Sequence, residues 1–130
     1  MMEIIPLANQ NIIGFSIDGK IEIGDVEKVK NLVDERLKSQ TKLRVYVEIK
    51  RFQGISVEAL WKDLKFALGH LKNFEKKAVV SDAAWVNNLT TASNKIFSNM
   101  THIEVKCFSW SEKDRALEWI IMDTPQTKVA

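Results

Sequence analysis

The segment Leu43-Arg44-Val45-Tyr46-Val47-Glu48-Ile49 alternates apolar and polar side chains. After Lys50-Arg51-Phe52-Gln53-Gly54-Ile55 the period changes at Ser56, where Val57, Leu60, Trp61, Leu64, Ala67, Leu68 and Leu71 recur every three or four residues. Period 2 giving way to period 3.6 across a short glycine-containing stretch reads as strand, turn and amphipathic helix, a βα unit. Ser56 is a suitable N-cap for that helix, which runs to about Phe74.

Upstream, Glu3 to Leu7 reads as a short strand, and Pro6 assigns it to an edge because proline cannot donate to a ladder. Ala8 to Asn11 is a turn, and Asn11 to Asp18 is a second strand with Ile13, Phe15 and Ile17 on one side. So short a connection predicts an antiparallel pair. Asp18-Gly19-Lys20 ends the strand, and a helix from Gly24 or Asp25 to Ser39 carries Val26, Val29, Leu32, Val33 and Leu37 on one stripe. Its opposite face is charged, which is the pattern of a solvated surface.

Downstream, Lys77 to Ser81 is a fourth strand, followed by a helix from Asp82 to Asn99 with Trp85, Leu89, Ala92 and Ile96 at helical spacing. His102 to Phe108 is a fifth strand with Ile103, Val105 and Cys107 inward. A last helix opens at Ser111, where Ser111 and Asp114 fit a capping box, and buries Ala116, Leu117 and Ile120. Residues 1–122 form one domain in this reading, and 123–130 a flexible tail.

The order ββαβαβαβα predicts an α/β fold, a five-stranded, mostly parallel sheet with an antiparallel N-terminal edge strand. Strands two, three and five each keep a polar side, whereas a doubly wound sheet demands continuous apolar runs. The helices are therefore expected mainly on one face, as a βα superhelix, leaving Arg44, Tyr46, Glu48, Glu104, Lys106 and Ser16 in water.

At 130 residues and 45% hydrophobic, the chain can bury a single core without disulfides or metals. Nineteen Lys and Arg against seventeen Asp and Glu leave a net charge of +2 spread along the chain, so no nucleic-acid partner is expected. Cys107 is the one cysteine, no export signal opens the chain, and no apolar run approaches the roughly 20 residues of a membrane span. A cytoplasmic protein is the expectation.

Trp61-Lys62-Asp63-Leu64-Lys65-Phe66, Phe74, Ala78-Val79-Val80-Ser81-Asp82 with Trp85, Glu104-Val105-Lys106-Cys107-Phe108 and Ala116-Leu117-Glu118-Trp119-Ile120 together resemble the SpoIIAA-like family, related to STAS (anti-sigma-factor antagonist) domains. The resemblance covers nearly the whole chain and rests mostly on packing residues. It implies a small bacterial domain of the STAS or CRAL-TRIO-like kind, non-catalytic, whose relatives bind protein partners, nucleotides or apolar ligands. STAS antagonists carry a phosphorylatable Ser directly after an Asp at the start of the helix following the third strand. Here Lys50 to Ser56 has no such pair, and Ser56 is the local candidate.

A phosphate at Ser56 would gain from the helix N-terminus and from Lys50 and Arg51, while an unmodified Ser56 is a plain cap. In a parallel sheet the strand C-termini share one edge, where ligands bind in open α/β folds. That edge gathers Lys50, Arg51, Ser56, Ser81, Asp82, Trp85, Ser109 and Trp110, and ordinary caps and solvated charges are the competing reading. Trp61 and Trp85 also read as core anchors, and Phe66, off its stripe, points to a partner or homodimer surface. His70 and His102 have no ligand cluster beside them, so no metal or cofactor is expected. Cys107 reads as a small core residue. The expected function is a regulatory or interaction module without catalysis that binds a protein partner. The alternative is a carrier or sensor of an amphipathic, lipid-like or phosphate-bearing ligand between the second and third helices, lined by Trp61, Phe66, Phe74 and Trp85.

Overall fold

In the computed structural model the alternating segment is the middle of a longer strand than its pattern suggested. We describe residues 1–56, 58, 59, 62, 73–82 and 104–122. β1 (Met2–Ile5), β2 (Ile12–Ile21), β3 (Leu43–Ile55), β4 (Phe74–Val80) and β5 (Glu104–Phe108) form one sheet in the order β1-β2-β3-β4-β5. β1 is antiparallel to β2, and every other neighbouring pair is parallel. This is the sheet that the strand and helix order predicts. The expected tail at 123–130 lies outside the described residues.

β2 and β3 do not stop where their glycines suggested. They pair through Asp18↔Arg51, Gly19↔Phe52 and Ile21↔Ile55, with register shifts at Ile17/Asp18 and Gly19/Ile21. Gly19 has φ 95° and Gly54 φ 113°, conformations that side chains other than glycine's disfavour. The first shift leaves Lys50 unpaired and the second falls beside the two glycines, so the glycines accompany a bulge in the ribbon instead of ending it.

Helix α1 (Ile23–Arg36) follows β2 and buries Val26 and Val33. Asp25 starts it, its carboxylate accepting the Glu22 N–H at 2.8 Å and the Met2 N–H at 3.1 Å. Burial opposes ionisation of this carboxyl, but the two N–H groups outweigh it and hold it below the usual range. At the other end, Arg36 Nη1 donates to the carbonyl of Gln10 at 2.9 Å, tying α1 to the β1–β2 turn. Val26 and Val33 join one apolar cluster with Ile13, Phe15, Ile17, Leu43, Val47 and Val79 of the sheet and Ala59 from the segment after β3. Lys62, from that segment, pairs with Glu27 of α1. Cys107 packs half-buried against this core, as expected.

The opposite face corrects an expectation. Helix α2 (Lys113–Ile121) crosses it, burying Ala116, Trp119 and Ile120 over Ile12, Tyr46, Ala78 and Val80. Arg44, Tyr46 and Glu48 are 5%, 0% and 7% exposed, so they are covered and not wet. Glu104 and Lys106, nearer the sheet edge, do reach water.

The polar side chains survive burial because the helix end needs them. The last turn of an α-helix leaves carbonyls without partners and a partial negative charge. Arg44 Nη1 donates to the carbonyls of Ile120, Ile121 and Met122 at 2.8, 3.0 and 2.9 Å. Its Nε binds Glu75 at 2.7 Å. Lys76 Nζ donates to Met122 O at 2.7 Å and sits 4.8 Å from the centroid of a Trp119 ring. Tyr46 donates its hydroxyl to Glu48 at 2.7 Å, and Lys113 Nζ approaches the same carboxylate at 3.4 Å. Burial first, and Glu48 second, push the Tyr46 pKa well above its ordinary value.

A smaller correction concerns how α2 begins. The cap is Ser109, whose N–H and hydroxyl both donate to Glu112 at 3.3 and 3.1 Å, and a 3-10 turn over Trp110–Glu112 leads into the helix. Ser111 and Asp114 fit the same sequence rule two residues too late.

Candidate functional site

Because β3 outruns β4, a cleft opens at the C-terminal ends of these strands. β4 pairs with β3 only as far as Glu48↔Val80. Past that point Ile49, Lys50, Arg51 and Phe52 form one wall, Ser81 and Asp82 another, and Trp110 a third, around about 240 Å³.

Each wall is held in place by a contact that the sequence makes local. The bulge after Ile17 brings Asp18 opposite Arg51, and Arg51 Nε meets its carboxylate at 2.7 Å. That hydrogen bond holds the Asp18 carboxyl below the usual carboxylate range. At the end of β4 the N–H of Ser81 donates to Phe108 O at 2.9 Å, extending the ladder by one residue. Asp82 Oδ1 then accepts the Trp110 N–H at 2.9 Å, which fixes the turn carrying the indole. Lys113 Nζ lies 5.4 Å from the centroid of a Trp110 ring.

Lys50, Arg51 and Phe52 are exposed at the mouth. The cleft thus combines two cations, one carboxylate already engaged by a backbone N–H, a hydroxyl and two aromatic rings. It can receive an anionic or amphipathic group. Among the described residues no three His, Cys, Asp or Glu side chains cluster as metal ligands.

Of the residues named from sequence, Lys50, Arg51, Ser81 and Asp82 come together here. Ser56 stands apart from the cleft lining, its hydroxyl accepting the Ala59 N–H at 3.1 Å and its own N–H donating to Ile21 O at 3.0 Å. That is the N-cap role. Trp61, Phe66 and Trp85 lie outside the described residues, as do His70 and His102. Phe74, expected at the end of the second helix and in the lining of the inter-helix ligand site, instead opens β4 and packs half-buried against the α1-side core. Phe52 was missed, because a residue read as part of a turn gives no reason to expect a fixed direction. Trp110 was placed on the right edge by its position after the fifth strand.

Comparison with known proteins agrees with the fold. The SpoIIAA-like family model matches residues 12–121. A crystal structure of an uncharacterized protein with a SpoIIAA-like fold from Shewanella loihica PV-4 superposes with a TM-score of 0.73 at 25% sequence identity, covering 92% of each chain. No curated protein matches. Among the described residues no helix is long and apolar enough to cross a membrane. With its mixed sheet, its antiparallel first strand and a family match spanning all five strands but the first, the chain belongs to the SpoIIAA-like family.

Proposed function

We propose that the protein is a non-catalytic regulatory module that acts in the cytoplasm and binds a protein partner through the cleft at the ends of β3 and β4. The observation that carries this reading is the mouth itself: Lys50, Arg51 and Phe52 stand exposed on a bulged ribbon beyond the end of β4. An aromatic preceded by two cations has the composition of interface anchors, where Arg and aromatic residues are enriched.

The alternative occupant, a small amphipathic or phosphate-bearing ligand, is supported by the pairing of Phe52 and Trp110 with the two cations. The volume favours a partner side chain over a drug-sized ligand. About 240 Å³ falls below the roughly 300–1,000 Å³ of pockets that enclose drug-sized molecules, and suits one or two side chains of a partner.

The test places a photo-crosslinking amino acid at Phe52 in cells, with the exposed Lys38 position as control. One discrete adduct at position 52, weakened by Lys50→Glu and absent at position 38, is the expected result. Crosslinking indifferent to both position and charge would count against the cleft. Native mass spectrometry of the gently purified protein checks the alternative, which needs a stoichiometric small-molecule adduct.

A further inference from the structure

The two edges of the sheet are treated differently. β1 is four residues long, is followed directly by Pro6, and is tied to α1 through Asp25 and through Lys28 Nζ, which donates to Met2 O at 3.2 Å. β5 is scarcely longer, at five residues, so it is the neighbouring proline and the helix tied across the edge that discourage strand addition at β1. β5, the other edge, has no proline, and among the described residues no strand pairs with its side away from β4.

The side chains of β5 add chemical detail. Glu104 and Lys106 share one face of the strand and are both exposed, and Lys106 Nζ reaches 5.3 Å from the centroid of a Trp119 ring on the α2 side. Val105 and Cys107 share the other face and are only half-buried, whereas Val79 in neighbouring β4 is 3% exposed. An edge strand with partly wet apolar residues gains by being made internal.

We propose that β5 pairs antiparallel with the β5 of a second copy of the chain about a two-fold axis through Val105. In that register Glu104 lies opposite the partner's Lys106, and Lys106 opposite the partner's Glu104, so one symmetry operation makes two opposite-charge cross-strand pairs. Charge selects this register over its neighbours. An axis through Lys106 sets that lysine against itself, and an axis through Glu104 does the same with the carboxylates. Both are like-charge pairs directly opposite, which destabilise. The result is a continuous ten-stranded sheet, with both clefts left open because they lie at the strand ends and not at this edge.

Sedimentation equilibrium over a concentration series tests the proposal. The wild type is expected to self-associate to a dimer. Glu104→Lys or Lys106→Glu alone weakens association by at least about tenfold, equivalent to ~1.4 kcal/mol, and the double exchange restores it. Position is tested separately with Val105→Cys in a Cys107→Ser background. Directly opposed residues on antiparallel strands have Cα atoms about 4.5–5.5 Å apart, within disulfide reach, so mild oxidation yields a covalent dimer. Glu3→Cys on the other edge, in the same background, does not. A chain monomeric at every concentration overturns the proposal. So does a dimer indifferent to both reversals, or one crosslinked through position 3.

Discussion

On the α1 side the sheet presents Ile13, Phe15, Val47 and Val79, whereas on the α2 side it presents Arg44, Tyr46, Glu48 and Lys76 alongside a smaller apolar patch. Both surfaces are covered by a helix, yet α1 lies on hydrocarbon while α2 is gripped at its end by two buried cations. The apolar contacts on the α1 side are non-directional, and the position of that helix is set instead by hydrogen bonds to the β1 strand and its turn, through Asp25, Lys28 and Arg36. The α2 side is directional, because three successive carbonyls converge on one guanidinium nitrogen and fix where the helix stops. Burial of charge here is structural chemistry, and it removes a surface that the alternation of β3 had offered for docking.

The contrast breaks most sharply at Arg44. Arg44→Met leaves carbonyls and Glu75 without their donor, and should cost about 4 kcal/mol in urea unfolding, as for other broken buried charge pairs. A cycle with Lys76→Met should be non-additive, since both cations serve the Met122 carbonyl. On the apolar side, Leu43→Ala at a fully buried position should cost about 3 kcal/mol, through lost transfer and a cavity. A loss for Arg44→Met below that for Leu43→Ala would show that α2 is held by packing alone.

Tyr46→Phe sharpens the comparison with a single atom. It removes the hydroxyl but leaves Lys113 on Glu48, so about 1 kcal/mol is expected in the same measurement. The smallest effect belongs to Asp25 and is read as a pH dependence. Its folded pKa is depressed, so its contribution is complete above the ordinary carboxylate range and disappears as pH falls through the folded value. The difference in urea midpoint between wild type and Asp25→Asn should therefore shrink toward zero as pH is lowered from about 5 to 2.

Most of the sheet was legible because the strands alternate cleanly and the element order leaves few topologies. What stayed hidden follows from ambiguities in single residues. Gly19 and Gly54 look like strand ends in sequence, since a turn and a bulge both want a residue that tolerates positive φ. Arg44 and Glu48 look solvated, because period 2 records only that a side is polar and not whether water or a helix terminus satisfies it. The start of α2 was misplaced because Ser109 with Glu112 and Ser111 with Asp114 satisfy the same capping rule. At the cleft, Lys50, Arg51, Ser81 and Asp82 could be found from the rule that parallel strands end along one edge. Phe52 needed the bulged ribbon to be known first.

Strand order that follows chain order has a consequence for biosynthesis. Each ladder joins strands that leave the ribosome one after another, so the sheet can grow by addition at one side. The grip on α2 is different, joining Arg44 to residues 76 to 78 positions later. Until those carbonyls emerge, the guanidinium of Arg44 and the ammonium of Lys76 keep the nascent half-sheet hydrated on that side, shielding it from sticking to other chains before its cover arrives.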